Sequence, residues 1–133
     1  MITGRCECNR VQYEADGEII DFSHCHCSQC RRLHGAAFVT FAGVQRAGFR
    51  YVAGQSALNT YASSEHNDRV FCEVCGSNIL VDAKSEPDVL YLAMGTVDGN
   101  QDLPRGSHQY VGSKAPWYEI TDDLPQHDEW SDE

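Results

Sequence analysis

Hydrophobic and polar residues alternate along this chain in short segments. Alternation with a period of two is typical of β-strands that bury one face. Glycines and Asx-rich stretches, such as Asp98-Gly99-Asn100, separate the segments where turns are expected. The pattern therefore predicts a mainly β protein built of antiparallel sheets. The predicted strands are Arg10 to Glu14, Ala37 to Phe41, Phe49 to Val52, Ala57 to Tyr61, Arg69 to Cys72, Ile79 to Asp82 and Val89 to Met94.

Helical content is predicted to be small, and Ser28 to His34 is the best candidate for a short helix. The chain has 133 residues, which is the size of one domain, and no linker, internal repeat or low-complexity stretch divides it. We therefore predict a single domain over residues 1–133.

Negative charge is concentrated near the C-terminus. The formal net charge is −10, from 10 Lys and Arg against 20 Asp and Glu. Residues 119–133 hold seven of the acidic residues and no Lys or Arg, so the rest of the chain is nearly neutral. We interpret residues 119–133 as a solvated acidic tail that aids solubility. Nucleic acid is not an expected partner, because affinity for phosphates comes from clustered Lys and Arg.

Membrane and secretion signals are not found in the sequence. The apolar run that includes Leu90 to Met94 is far shorter than the roughly 18 residues that a membrane-spanning helix needs. The first residues lack the basic start and apolar stretch of a signal peptide. We expect a soluble cytoplasmic protein with no membrane partner.

The cysteines are the strongest chemical signal. Disulfides are disfavoured in a cytosolic protein, and an odd number of closely spaced cysteines indicates metal binding or redox chemistry. The seven cysteines fall into three groups: Cys6 and Cys8, then Cys25, Cys27 and Cys30, then Cys72 and Cys75.

The outer two groups are predicted to share one metal ion. Residues two apart in an extended segment point to the same side, so Cys6 and Cys8 can present two sulfurs to one ion. Cys72 and Cys75 form a C-x-x-C followed by Gly76, which can take the positive φ of such a turn. These four cysteines, called the first cluster below, would form a closed, structural zinc site.

The middle group supplies three thiolates without an obvious fourth ligand. Cys25, Cys27 and Cys30, called the second cluster below, describe a second zinc with an open position, as catalytic zinc sites have. A redox dithiol of Cys27 and Cys30 is a weaker alternative. Another alternative is a closed site completed by one of four histidines, namely His24, His26, His34 and His108.

Other side chains near these motifs have competing interpretations. Arg31 and Arg32 could orient thiolates or bind a substrate carboxylate, or they could be solvated or paired with acids. Tyr110, Trp117 and Tyr118 are predicted to pack the final segment onto the body of the protein, with lining of a ligand cleft as the minor alternative.

Four motifs follow one another along the chain. They are G-R-C-E-C-N-R-V-Q-Y-E (Gly4 to Glu14), C-H-C-S-Q-C-R-R-L-H-G-A (Cys25 to Ala36), F-C-E-V-C-G-S (Phe71 to Ser77) and H-Q-Y-V-G-S-K-A-P-W-Y-E-I (His108 to Ile120). In this order they resemble the glutathione-dependent formaldehyde-activating enzyme family, which also includes domains like that of centromere protein V. One small departure is His127, where the family's tail usually has an apolar aromatic residue.

The resemblance implies a mostly β fold related to the Rab-exchange-factor-like zinc proteins. It also implies two Zn²⁺ per chain, a structural ion on the first cluster and a functional ion on the second cluster, which is the pairing that spacing suggests. Three thiolates would leave the second site with a net negative charge. A nearby cation such as Arg31 or Arg32, or a helix N-terminus, is therefore expected to help it accept a fourth thiolate.

The implied function is that of a carbon–sulfur lyase acting on a thiol–carbonyl adduct. The family's reaction joins glutathione and formaldehyde to S-hydroxymethylglutathione, so the expected partner is a small-molecule thiol, with glutathione as the candidate. Cys25, Cys27 and Cys30 are then the catalytic positions. The alternative is a non-catalytic zinc module that binds a partner, with both ions fully held by the protein and no cleft beside the second cluster.

Overall fold

The computed structural model describes residues 1–130 of the chain. Within that range the chain forms ten β-strands, one α-helix and four short 3-10 helices. The strands are β1 (Ile2–Arg5), β2 (Gln12–Ala15), β3 (Asp21–Cys25), β4 (Val39–Gln45), β5 (Phe49–Ala53), β6 (Leu58–Ala62), β7 (Asn67–Cys72), β8 (Asn78–Ala83), β9 (Val89–Ala93) and β10 (Ser107–Gln109).

The helix, α1 (Ser28–His34), spans the residues that the sequence predicts. It is capped at its start by the Cys27 side chain and ends at Gly35, whose φ of 58° places it in the left-handed region. Across residues 1–130, no helix has the length and apolar character required to span a bilayer.

The strands form two sheets. A three-stranded sheet has the order β1-β2-β5, and a seven-stranded sheet has the order β10-β3-β4-β9-β8-β7-β6. The neighbouring strands pair antiparallel, except that β10 pairs parallel with β3. The prediction of a mainly β, antiparallel fold is confirmed.

All seven predicted strands are present, although their ends differ by a few residues. Three strands were not predicted, namely β1, β3 and β10. The sequence of β3 is Asp-Phe-Ser-His-Cys, which lacks the alternation of apolar and polar residues expected of a strand. One face of this strand lines a cleft and the other contacts aromatic rings, so neither face consists of apolar residues alone. β10 has only three residues, too few to show a periodicity.

The core lies between the two sheets. It covers one face of the large sheet, so the other face remains open to solvent and can form a site. Ala42 and Val44 of β4 and Leu90 and Leu92 of β9 pack toward the small sheet, where Tyr13 is also buried. Because side chains alternate along a strand, the residues between them, such as Phe41 and Tyr91, face the opposite side. That second face forms the floor of a cleft.

The C-terminal segment lies along β10. The His108 N–H donates to the Pro125 carbonyl at 2.8 Å, the His127 N–H donates to the His108 carbonyl at 2.9 Å, and the Tyr110 N–H donates to the Glu129 carbonyl at 2.9 Å. The acidic side chains here are exposed. The backbone of residues 125–129 is thus held against β10, whereas the role of residues 119–133 as a solubilising acidic tail stays a prediction, and residues 131–133 lie outside the described residues.

Candidate metal centres and active-site cleft

The first cluster brings together its four cysteines from two distant parts of the chain. Their sulfur atoms all lie within 4.8 Å of one another. The Cys6 and Cys8 sulfurs are 3.6 Å apart, and the Cys8 and Cys72 sulfurs are 3.8 Å apart. A tetrahedral ion with Zn–S bonds of about 2.3 Å places its sulfurs about 3.8 Å apart. The cluster therefore has the donor set and the spacing of a structural zinc site.

Local hydrogen bonds support the first cluster. The Val11 N–H donates to the Cys6 sulfur at 3.3 Å, and Gly76 turns the C-x-x-C segment with a φ of 81°. The Ser77 hydroxyl lies 3.2 Å from the Cys75 sulfur, and this hydrogen bond is the main reason that the pKa of Cys75 is lowered to about 5. The Ser77 contact favours the thiolate form of Cys75, which is the form that binds metal.

The second cluster lies where β3 passes into α1. Cys25 ends the strand, Cys27 is the N-cap of the helix, and Cys30 lies in its first turn, with the three sulfurs within 4.8 Å of one another. The Cys30 N–H donates to the Cys27 sulfur at 3.2 Å. Hydrogen bonds from the Cys25 and Cys30 thiols, together with this N–H, lower the pKa of Cys27. The pKa of Cys25 is raised, chiefly by its hydrogen bond to Cys27, so negative charge in this cluster is favoured on Cys27.

Among residues 1–130, no histidine, aspartate or glutamate ligand atom joins the three sulfurs of the second cluster. The His24 ring is hydrogen-bonded to the Thr40 hydroxyl at 2.7 Å, and His26 Nε2 lies 2.8 Å from His108 Nδ1. The described histidines therefore do not form the closed, histidine-capped site that the sequence left open as an alternative.

A buried arginine contacts the second cluster. Both terminal nitrogens of Arg69 donate to the Cys30 sulfur at 3.5 Å, and the side chain is only 6% exposed. Its remaining donors reach Gln29 Oε1 at 3.3 Å and the Ser63 hydroxyl at 3.2 Å. The cation expected beside this cluster is thus Arg69, which β7 carries.

The prediction that Arg31 or Arg32 supplies this cation is not supported. Neither residue lines the cleft among residues 1–130, and Arg32 is exposed. They follow Cys30 directly in sequence, yet neither side chain lines the cleft in which its sulfur lies. In the sequence, Arg69 is recognisable only as a charged residue at the start of the predicted strand that ends in Cys72. That position does not show that its side chain contacts Cys30.

The second cluster lines a cleft of about 910 Å³ on the free face of the large sheet. All three of its cysteines take part, together with Ser23 and Phe41 on the floor. Cavities that bind small molecules have volumes of about 300–1,000 Å³. The cleft can therefore hold a small molecule, and Cys27 is the partly exposed cysteine of the cluster.

One wall of the cleft comes from β10 and the C-terminal segment. The parallel pairing of β10 with β3 places Gln109 beside Cys25. Tyr110 packs edge-on against Trp130, with ring centroids 5.0 Å apart, and both line the cleft. Sequence analysis missed Gln109 because nothing local shows which strand β10 pairs with.

The prediction that the aromatic residues of this region pack onto the body is correct for two of the three. Tyr118 packs against Phe38 with ring centroids 5.3 Å apart. Trp117 is 71% exposed, so it does not pack onto the body. Tyr110 packs against the buried residues around Cys25 and Phe41, and it also lines the cleft, which the sequence analysis gave as the minor alternative.

Next to the second cluster, two buried histidines and an exposed carboxylate form a hydrogen-bonded chain. His26 and His108 are hydrogen-bonded to each other and almost completely buried, and His108 Nε2 reaches the Asp122 carboxylate at 3.0 Å. Burial is the main cause that lowers the pKa of His26 to about 4. The hydrogen bond from His108 lowers the pKa of Asp122. This chain connects the loop of the second cluster to the C-terminal segment.

The fold and the two cysteine clusters define a small β protein with two sites that could hold metal ions. Comparison with known families agrees: the family model for glutathione-dependent formaldehyde-activating enzyme matches residues 1–113. The chain belongs to this family.

Two individual proteins are similar to the chain. An uncharacterized lyase of Schizosaccharomyces pombe is 32% identical over 76 residues, which cover 57% of this chain and 53% of that protein. The chain thus spans about half the length of this relative. The crystal structure of a Rhodobacter sphaeroides protein matches with a TM-score of 0.60 at 24% identity, covering 74% of this chain and 90% of that one, which supports the fold.

Proposed function

We propose that the protein is a zinc-dependent carbon–sulfur lyase that acts on a thiol–carbonyl adduct in the cleft. The candidate reaction joins glutathione and formaldehyde to S-hydroxymethylglutathione, or cleaves that adduct. The observation that carries the proposal is the second cluster, whose three sulfurs line the cleft and have no fourth protein ligand among residues 1–130. Family membership and a relative named as a lyase support this class of reaction.

The residues of the second cluster fit a zinc ion. Cys25, Cys27 and Cys30 would hold it, since three closely spaced thiolates are donors that zinc prefers. When bound, zinc supplies a positive centre that lowers the pKa of a thiol at its open position. The substrate thiol would then be present as a thiolate near neutral pH.

The chemistry needs no oxidant or reductant. In the forward direction the substrate sulfur loses its proton, a carbon–sulfur bond forms at the aldehyde carbon, and the carbonyl oxygen gains a proton. The reverse direction breaks the same bond. Holding the thiol and the aldehyde together in the cleft would provide much of the rate gain, because it makes a bimolecular step effectively unimolecular.

Arg69 would reduce the electrostatic cost of a fourth thiolate. Its guanidinium contacts Cys30 from a buried position, where a charge is screened less than at the surface. Gln29 and Ser63 hold it in place. The side chain can therefore offset the negative charge of the cluster without having to move.

The first cluster would hold a second zinc with a structural role. It connects the loop after β1 to the turn between β7 and β8, and a fully ligated ion there would stabilise the fold. The seven cysteines are free thiols in the structure, and reduced clusters of this kind fit the cytoplasm. We therefore assign two zinc ions per chain and a cytoplasmic location.

The non-catalytic alternative predicts a protein-capped second site and no adjoining cleft. Residues 1–130 contain a cleft at that site and no fourth ligand, which favours the enzyme.

The test is removal of the second cluster. Cys27→Ser and Cys30→Ser are expected to lose one metal equivalent and the lyase activity while circular dichroism remains unchanged. Ser85→Ala, at another position lining the cleft, is the control and should keep both metals. Lyase activity that survives the loss of this metal would contradict the proposal. Calorimetry with glutathione tests the thiol, and no heat at millimolar concentration would exclude glutathione.

A further inference from the structure

The wall of the cleft beside the second cluster carries a residue with a strained backbone. Tyr110 directly follows β10 and has a φ of 57° and a ψ of 39°, which lie in the left-handed region. Among residues 1–130, Asn9 is the one other non-glycine residue with a positive φ, and asparagine visits this region readily. A bulky aromatic residue does not, so the surrounding structure must hold Tyr110 in this conformation. Strained residues of this kind cluster at active sites and ligand clamps.

The C-terminal segment fixes the position of Tyr110. The Tyr110 N–H donates to the Glu129 carbonyl at 2.9 Å, and the Tyr110 carbonyl accepts from the Ser113 N–H at 3.0 Å. The ring contacts Trp130 edge-on and packs against the buried residues around Cys25. It therefore has a defined place next to the second cluster, in the cleft that both Tyr110 and the cluster line.

The Tyr110 hydroxyl lies within electrostatic reach of the sulfurs. Burial is the main cause that raises the pKa of Tyr110, followed by the negative charge of Glu129 and then by that of the second cluster. A tyrosine hydroxyl keeps its hydrogen at neutral pH and can donate it. Among residues 1–130, this hydroxyl forms no hydrogen bond. It is therefore a donor that a ligand in the cleft can use.

Other donors near the sulfurs are already used within the protein. Each nitrogen of the Arg69 guanidinium donates to another residue, and two of them donate to Cys30. The Gln29 side-chain amide donates to the Ser63 carbonyl at 2.8 Å. Ser28 also lines the cleft, and its hydroxyl is the competing candidate.

Formation of a thiol–carbonyl adduct needs a donor at the carbonyl oxygen. As the sulfur bonds to the aldehyde carbon, the carbon–oxygen double bond opens and negative charge develops on the oxygen. Donors that are already in place for such a charge give some of the largest rate effects in enzymes. The oxygen then takes a proton from water, which is replaced by the proton that the substrate thiol released. The step therefore needs no further reactant.

We propose that the Tyr110 hydroxyl is a catalytic group that donates a hydrogen bond to the aldehyde oxygen, which becomes the hydroxyl oxygen of the adduct. The reaction in this assignment rests on the proposed lyase function, whereas the contact rests on the position of Tyr110. The strained backbone then has a function, since it keeps the hydroxyl at a fixed place beside the second cluster.

Two stable glutathione thioethers test the contact without turnover. S-methoxymethylglutathione has an oxygen at the position in question, and S-propylglutathione has a methylene group there. Neither has a free thiol, so neither can bind the second cluster as a thiolate. Calorimetry should show that the wild-type protein binds the oxygen compound about two- to ten-fold more tightly, which is the usual net effect of one hydrogen bond. Equal affinities, or binding of neither compound, would overturn the proposal.

Three variants locate the contact. Tyr110→Phe keeps the ring and should abolish the preference for the oxygen compound. Tyr91→Phe is the matched control and should keep it, because Tyr91 lines the same cleft but its hydroxyl donates to Glu86 at 2.9 Å. Ser28→Ala tests the competing hydroxyl. The proposal is wrong if Tyr110→Phe keeps the preference, or if Tyr91→Phe or Ser28→Ala loses it to the same extent.

Turnover separates this inference from the proposed function. Exchange NMR measures adduct formation above the spontaneous rate, and Tyr110→Phe should lower kcat about 100-fold with little change in KM for glutathione. If the wild-type protein is active and Tyr110→Phe is equally active, the Tyr110 assignment fails and the lyase proposal stands. If the wild-type protein is inactive but prefers the oxygen compound through Tyr110, the lyase proposal fails and the contact stands.

Discussion

His26 Nε2 and His108 Nδ1 lie 2.8 Å apart, and both side chains are almost completely buried. In a neutral His108 ring that donates from Nε2 to the Asp122 carboxylate, Nδ1 accepts a hydrogen bond from His26 Nε2–H. These hydrogen bonds thus run from Asp122 at the surface through His108 to His26, which lies between Cys25 and Cys27 in the loop of the second cluster. His26 helps to hold this loop through His108, which also pairs with the C-terminal segment.

Replacement of His108 tests that role. His108→Ala removes a buried ring and leaves the His26 donor without its partner, so we expect the free energy of unfolding to fall by about 2–4 kcal/mol. Asp122→Asn should cost less than about 1 kcal/mol because Asp122 is exposed. Urea unfolding at pH 7 measures both. A loss for His108→Ala no larger than that for Asp122→Asn would show that the buried pair does not stabilise the loop.

Arg69 should control the metal affinity of the second cluster. Arg69→Gln removes the charge beside Cys30, and we expect the metal dissociation constant of this site to rise about 10- to 100-fold, as for other residues that support metal ligands. Competition with a chromophoric chelator measures this constant. Arg69→Lys should recover part of the affinity, because lysine restores the positive charge but cannot place two nitrogens against the Cys30 sulfur as arginine does.

The control for Arg69 is Arg50→Gln. Arg50 pairs with Glu14 and Asp16 on the small sheet, away from both clusters. This variant removes the same charge and should leave both metal affinities unchanged. An equal loss of affinity at the two clusters in Arg69→Gln would indicate general destabilisation and would refute the local role.

The first cluster should be required for folding. Cys6 and Cys72 are buried in the main core. Binding of a structural zinc ion contributes an apparent free energy on the order of 10 kcal/mol to folding. That amount is comparable with the whole stability of a domain, so Cys72→Ser should not fold. Cys30→Ser should keep a folded core. Amide-proton dispersion in NMR spectra measures the difference, and a folded Cys72→Ser protein would contradict the structural role.

Acid should destabilise the protein in part through His34. Burial, and to a smaller extent the charge of Arg69, lowers the pKa of His34 to about 4 from its usual 6.5. Between these values the unfolded chain binds more protons than the folded one, so stability falls as the pH drops from about 6.5 to about 4. His34→Gln should reduce this slope, whereas His66→Gln, at an exposed histidine, should not. Urea titrations at several pH values provide the measurement.

The strands and the helix show where sequence reasoning succeeds. The segments around β7, β8 and β9 carry apolar residues at alternate positions because one face of each is buried in the core. The helix begins directly after Cys27 and ends before Gly35, both of which are local signals. β3 was not predicted because one of its faces lines the cleft and the other contacts aromatic side chains. Neither face shows the run of apolar residues at alternate positions that indicates a strand.

The sequence by itself placed the seven cysteines in three closely spaced groups, because C-x-C and C-x-x-C spacings are local, and it predicted that the first and third groups share one site. Only the tertiary structure decided that Arg69 faces Cys30, that Gln109 lies beside Cys25, and that the second cluster has a cleft in front of it. Those relationships depend on strand pairing between distant segments. Pairing is selected by the free energy of the whole folded core, and no short stretch of residues encodes it.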